Sequence, residues 1–177
     1  PLGGDTASEL FSDQLVLYRF VEFGGEIFYA NYRNDYSSNP GNMALNYASS
    51  LAGPWHQVPG MVDQPAAKLN TVATANAILT NDGSYNFKRS TDGRTFTIIN
   101  SSANISGTLR GWLTDTATGA IIAVVKDGTR AYILTSADDG VSFVNQGYAF
   151  WSSESSINNA NMTTGNGRLI IIEGSNS

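Results

Sequence analysis

The sequence predicts an all-β protein built from four-stranded antiparallel units repeated along the chain. Apolar and β-branched runs of about four to eight residues dominate, and Gly, Asn, Asp or Ser interrupt them, which is how strands and turns alternate in a sequence. No stretch carries the capped 3.6-residue apolar period of an amphipathic helix. The runs also recur in a fixed order, and a repeating order is the mark of a repeat architecture.

One unit reads as a strand, a Gly-containing turn, a strongly apolar strand, a loop and a strand closing on serine. A tight Asp/Gly turn, an aromatic residue and a last strand complete it. The first copy has strands at Leu17–Phe23, Glu26–Tyr32 and Met43–Ser49, with Gly24-Gly25 in the first turn and Gly53-Pro54-Trp55 after the third strand. The second has Ala73–Leu79 as its first strand, a turn at Asn81-Asp82-Gly83, Ser84–Ser90, then Asp92-Gly93 and Thr95-Phe96. The third has Arg110–Thr114, Thr118-Gly119, Ala120–Val125, Arg130–Ser136, then Asp138-Asp139-Gly140 and Ser142-Phe143. A fourth opens with Asn159–Thr163 and Arg168–Glu173.

Ser49, Ser90 and Ser136 close the third strands, 41 and 46 residues apart. A period near forty to fifty residues with four strands per unit is that of β-propeller blades. The expected organisation is an N-terminal extension over 1–14, blades over 15–60, 71–100 and 108–147, and an incomplete blade over 158–177. About three and a half blades are therefore present, as part of a propeller or of one completed by a partner.

Composition narrows the function. The chain has 177 residues, 41% hydrophobic and 14% charged, so it can bury a core while covering its surface with uncharged polar groups. A net charge of −5 repels phosphate backbones, so nucleic acid is not an expected partner. No run of about 18 apolar residues is present, so no membrane insertion through a helix is expected. There are no cysteines, which excludes disulfides, Cys-ligated zinc and thiol catalysis. The single histidine, His56, follows Trp55 in a strand-like stretch and reads as an exposed strand residue rather than a triad member. No metal site and no cofactor are expected. Pro1-Leu2-Gly3-Gly4 resembles the scar left by a tag protease, and on that reading the chain is expected to be an expressed piece.

The motif behind the serine period is local chemistry. Ser136-Ala137-Asp138-Asp139-Gly140-Val141-Ser142-Phe143 fits Ser-x-Asp-x-Gly-x-Ser/Thr-aromatic, and Ser90-Thr91-Asp92-Gly93-Arg94-Thr95-Phe96 is the same motif shortened by one residue. Ser49 to Trp55 keeps serine, glycine and the aromatic without the aspartate. A short Asp side chain accepts hydrogen bonds from turn amides, glycine supplies positive φ, and the aromatic packs between sheets. Ser90, Asp92, Gly93, Phe96, Ser136, Asp138, Gly140 and Phe143 are therefore read as structural. Asp138-Asp139 reads as a turn rather than as a carboxylate pair or calcium ligands.

These motifs resemble the Asp-box (BNR-repeat, sialidase-like) β-propeller superfamily, which holds sialidases, related glycoside hydrolases and many non-enzymatic propellers, including those of phage tails. The resemblance implies that ligands sit over a central axis where the first strands converge. The positions that map there are Tyr18-Arg19, Asn76, Arg110-Gly111-Trp112 and Asn159-Ala160-Asn161. Arg19, Arg110, Trp112 and Asn159 are thus the ligand-binding candidates. Tyr18-Arg19-Phe20, Gly24-Gly25, Ile27–Ala30 and Arg33-Asn34-Asp35 echo the opening strand of the sialidases. Carried over, Arg19 clamps a sugar carboxylate, for which a planar guanidinium suits, and Asp35 is the acid/base. The departures are that Phe20-Val21 replaces Ile-Pro, and that a nucleophilic tyrosine with its glutamate and a third arginine belong to later blades.

Three functions follow. One is a non-catalytic module for glycan recognition or assembly in a phage tail or similar surface structure, partnered by glycan and by other subunits or blades, in a virion or on an extracellular surface. In it Trp112, Trp151 and Tyr148 could stack on sugar faces. Another is a sialidase-like glycoside hydrolase fragment, whose available acids are Glu22, Asp35, Asp115 and Glu154. The third is a purely structural virion protein.

Overall fold

The computed structural model describes residues 20–32, 43–61, 71–81, 86–100, 103, 105, 107–128, 130–151, 159–165 and 168–174. Its described elements are all strands. Sheet 1 is β1 (Val21–Phe23), β2 (Glu26–Tyr32), β3 (Met43–Ala48) and β4 (His56–Gln57). Sheet 2 is β5 (Thr71–Ala73), β6 (Ile78–Asn81), β7 (Phe87–Ser90) and β8 (Thr97–Ile98). Sheet 3 is β9 (Thr108–Thr114), β10 (Ile121–Asp127), β11 (Arg130–Ser136) and β12 (Val144–Trp151). Sheet 4 is β13 (Asn159–Gly165) and β14 (Arg168–Gly174). Each sheet is an antiparallel meander in sequence order. Among the described residues no helix is long and apolar enough to cross a membrane.

The sheets stack through their faces. Phe28, Ala30, Leu45 and Val58 of sheet 1 form a buried cluster with Ile78 of sheet 2, and Phe96 packs against it. A larger cluster joins Leu79 and Phe87 of sheet 2 to Trp112, Ile121, Ala123 and Phe143 of sheet 3, and Leu169 and Ile171 of sheet 4 pack on it. Period-two alternation allows this, because each strand sends residues to both faces of its sheet.

The two Ser-x-Asp turns hold adjacent sheets together. Within each turn the serine hydroxyl donates to the aspartate at 2.7 Å, in Ser90–Asp92 and in Ser136–Asp138. Asp92 accepts the amides of Arg94 and Thr95 at 2.8 and 2.7 Å. Asp138 accepts the Ser142 amide at 3.0 Å and its hydroxyl at 2.6 Å. These donors hold Asp92 well below the usual carboxylate range, the Thr95 and Arg94 amides foremost. At Asp138 the cost of burial acts the other way, but the Ser142 and Ser136 donors outweigh it and lower the carboxyl to about 2.

The glycine of each turn sits where no side chain fits. Gly93 has φ +69°, and a Cβ there would lie 2.7 Å from the Phe28 ring of sheet 1. Gly140 has φ +80°, and a Cβ there would collide with Leu79 of sheet 2. Polar contacts reinforce each approach. The Arg94 guanidinium lies 3.5 Å from the Tyr47 ring centroid and donates to Glu26 at 2.6 Å. Arg89 Nε donates to the Asp139 carbonyl at 2.8 Å, and Asn76 Nδ2 donates to its carboxylate at 2.9 Å.

The structure corrects the sequence reading in two places. Ala73–Leu79 is not one strand: β5 ends at Ala73 and β6 begins at Ile78. The hairpin between them has no glycine. Thr74 and Ala77 are joined main chain to main chain at 2.8 Å, and the Thr74 hydroxyl accepts the amides of Asn76 and Ala77. A threonine side chain does the work sought from a glycine. The serine series is also out of register in its first member. Ile78 stands opposite Ser90 and Ile121 opposite Ser136, both serines buried, and the corresponding Ile27 stands opposite buried Ala48. Ser49 is exposed. The start of the strand expected at Leu17–Phe23 lies outside the described residues as far as Arg19, and Phe20 is exposed.

Gly140→Ala should cost about 2–4 kcal/mol, combining a left-handed L-residue with overpacking against Leu79; urea unfolding measures it. Acid should weaken the fold through Asp138. Its folded pKa lies below the unfolded value of about 3.9, so its contribution is present above pH ~4 and is lost as pH falls toward 2. Asp138→Asn should lower stability at neutral pH by about 1 kcal/mol and flatten that part of the acid profile.

Candidate functional site at the inner strands

The first strand of each sheet faces the first strand of the next: β5 lies against β1 and β9, and β9 lies against β13. Two threonines fix their direction. The Thr114 hydroxyl at the end of β9 donates to the Ala73 carbonyl at the end of β5, at 2.6 Å. The Thr164 hydroxyl near the end of β13 donates to Asp115, just past β9, at 3.0 Å. The carboxyl ends of these strands therefore lie together, and their amino-terminal ends lie at the opposite end of the stack. The Ser-x-Asp turns follow β7 and β11, so they lie with the carboxyl ends, away from the amino termini.

The amino-terminal end carries Thr71, Arg110 and Asn159. Thr71 is buried, and its hydroxyl meets that of Thr80 at 3.4 Å. Arg110 occupies a β-bulge: Gly111 pairs with Val124 and Leu109 with Val125, which leaves Arg110 as the extra residue of β9. A bulge re-aims a side chain that regular pleating would send to a sheet face. Gly107 leads into this strand with φ +91°, and a Cβ there would lie 2.8 Å from the Lys126 carbonyl oxygen. Asn159 opens β13 opposite Gly174.

The other sequence candidates lie elsewhere. Trp112 is buried at 5% exposure, edge-on to Phe87 at 5.1 Å, so its ring face is not presented to solvent. Asn76 sits in the β5–β6 turn at the far end, bonded to Asp139, and not on an inner strand. Asp115 is tied into its own turn, where the Thr118 hydroxyl first and Thr164 second keep its pKa low, which suits a hydrogen-bond acceptor rather than a general acid. Glu22 is exposed on β1, and His56 is exposed on β4 beside Tyr47. Tyr148 and Trp151 lie in β12, opposite Tyr132 and Arg130. Arg19, Asp35 and Glu154 lie outside the described residues.

Inner strands β5, β9 and β13 carry no Asp or Glu. Among the described residues no three His, Asp or Glu side chains gather to hold a metal ion. The described side chains of these strands include the Arg110 guanidinium and threonine hydroxyls, groups that bind hydroxyls and carboxylates. The bulge at Arg110 was not legible in the sequence, since only the one-residue mismatch with β10 reveals it.

No family model matches the chain. No curated protein matches it in sequence. Solved structures do resemble it. A GH32 β-fructofuranosidase from Bombyx mori, solved alone and as a mutant in complex with sucrose, aligns with TM-score 0.53 and 12% identity over 87% of this chain and 39% of its own. A family 117 glycoside hydrolase from the marine bacterium Zobellia galactanivorans aligns with TM-score 0.44 and 16% identity over 72% of this chain and 44% of its own. The chain thus spans about 39% of the β-fructofuranosidase it resembles. The fold is all-β, with antiparallel four-stranded sheets consistent with the blades of a partial propeller of the glycoside-hydrolase kind.

Gly107→Ala should destabilise sheet 3, because the main chain of Lys126 cannot give way as a side-chain tip would. A melting temperature lowered by several degrees is the expected result, on a scale of about 2–4 °C per kcal/mol for a chain of this size.

Proposed function

We propose that the chain is a non-catalytic propeller module, of the Asp-box, sialidase-like type, that recognises glycan through the amino-terminal ends of its inner strands. The observation that carries this reading is Arg110, set out of register by a bulge on an inner strand that has no carboxylate. A guanidinium grips a carboxylate or paired hydroxyls through two parallel hydrogen bonds, so acidic glycans should bind more tightly than neutral ones. Arg19, which lies outside the described residues, and Asn159 at the start of β13 are proposed to take part. The uncharged polar surface and lack of cysteine fit assembly in a phage tail or similar surface structure, where glycan recognition serves attachment. The likeness to glycoside hydrolases supports a propeller scaffold and a sugar ligand rather than turnover, since catalysis of that class needs a placed carboxylate pair or a nucleophile.

A glycan array followed by titration tests the proposal. The chain should bind a subset of glycans enriched in acidic sugars, and Arg110→Gln should weaken binding at least tenfold, or about 1.4 kcal/mol. Binding unchanged by Arg110→Gln would remove the inner strands as the site. Hydrolysis of a bound glycan that disappears in Asp35→Ala would make the protein an enzyme.

A further inference from the structure

The two Ser-x-Asp turns define a socket with fixed parts. It is a second-strand residue that receives the turn glycine, standing opposite a third-strand residue that grips the turn. Sheet 1 supplies Phe28 opposite Tyr47, filled by Gly93 and Arg94 of sheet 2. Sheet 2 supplies Leu79 opposite Arg89, filled by Gly140 and Asp139 of sheet 3. Both socket residues are fully buried, at 0% exposure.

Sheet 3 repeats the pair in the same register, with Ile122 opposite Thr135. Ile122 is only half-buried, at the margin of the large cluster. The turn that would fill it belongs to a third and fourth strand of sheet 4, which among the described residues has two. The second strands β2, β6 and β10 each pair on both sides, whereas among the described residues β14 pairs only with β13. A strand added to the outer edge of β14 would hold the place that β7 and β11 hold in their sheets. Its following turn would then reach Ile122.

We infer that the β14 edge and the Ile122–Thr135 pair form one docking surface, and that its occupant is a polypeptide β-hairpin whose turn places glycine against Ile122. The surface continues an interface used twice in this molecule, and that continuity specifies the occupant's chemistry: a β-strand partner followed by a Ser-x-Asp-x-Gly type turn. Self-pairing of β14 between two copies does not serve. Antiparallel pairing about a two-fold axis perpendicular to the sheet would put both copies of sheet 3 on one face and would leave each Ile122–Thr135 pair without a turn glycine.

Hydrogen exchange on the full chain tests this, with a synthetic peptide of residues 130–151 as the probe, since that hairpin fills the Leu79 socket. The peptide should slow exchange of the Leu169–Ile171 amides and shift the Ile122 resonance. A peptide carrying Gly140→Val should do neither. The protein variant Ile122→Lys should lose the response, while Thr97→Lys, exposed on sheet 2, should retain it. Equal protection by both peptides would reduce the effect to unspecific edge pairing and overturn the socket. So would amides already protected without peptide, protection that rises with protein concentration through dimerisation, or no response at any soluble peptide concentration. None of these readouts depends on glycan binding, so they stand or fall apart from the proposed function.

Discussion

Everything in this stack depends on a close approach between a turn glycine and the sheet before it. Gly93 against Phe28 and Gly140 against Leu79 set how near neighbouring sheets lie. Hydrophobic burial drives the sheets together, but it is non-directional and would accept many offsets. The glycine contact is directional. It requires positive φ, an aspartate to hold the turn in shape, and a flat or branched apolar group at one register position. Once those are met, the aromatic that follows each turn, Phe96 or Phe143, is delivered into the cluster between the same two sheets.

The same constraint separates two ends of the molecule by role. The turns gather acceptors and donors at one end, where Asp92, Asp115, Asp138 and Asp139 are all held as carboxylates by local hydrogen bonds. Those groups are committed to structure, and their low pKa values make them poor proton donors near neutrality. At the opposite end Arg110 stands out of the β9–β10 ladder as the extra residue of a bulge. The meander itself sets this arrangement: the first hairpin and the Ser-x-Asp turn of a sheet share one end, and the second hairpin lies at the other.

Much of this was legible in the sequence, and the reasons differ by element. Sheet 3 could be placed nearly to the residue because Gly119, Gly128 and Gly140 mark its turns and its strands are long and β-branched. Sheet 2 could not, because its first hairpin turns on the Thr74 hydroxyl and its strands have four residues or fewer. The slip from Ala48 to Ser49 has the same origin: serine identity was followed where register decides. Trp112 showed an aromatic on an inner strand, but only packing shows that it is buried in a T-shaped contact with Phe87. Contacts between sheets, such as Arg94 with Glu26 and Tyr47, join residues far apart in sequence that no local pattern links.

A size-exchange cycle at Gly140 and Leu79 tests the central claim most directly. Gly140→Ala and Leu79→Ala each destabilise, the first by collision and strain, the second by leaving a cavity. If the approach of the turn to Leu79 fixes sheet spacing, the space opened by Leu79→Ala accommodates the new methyl group. The double variant is then more stable than the sum of the two losses predicts, by at least about 1 kcal/mol in urea unfolding. Losses that add within about 0.5 kcal/mol would show that the two residues do not bear on one another, and would contradict the account.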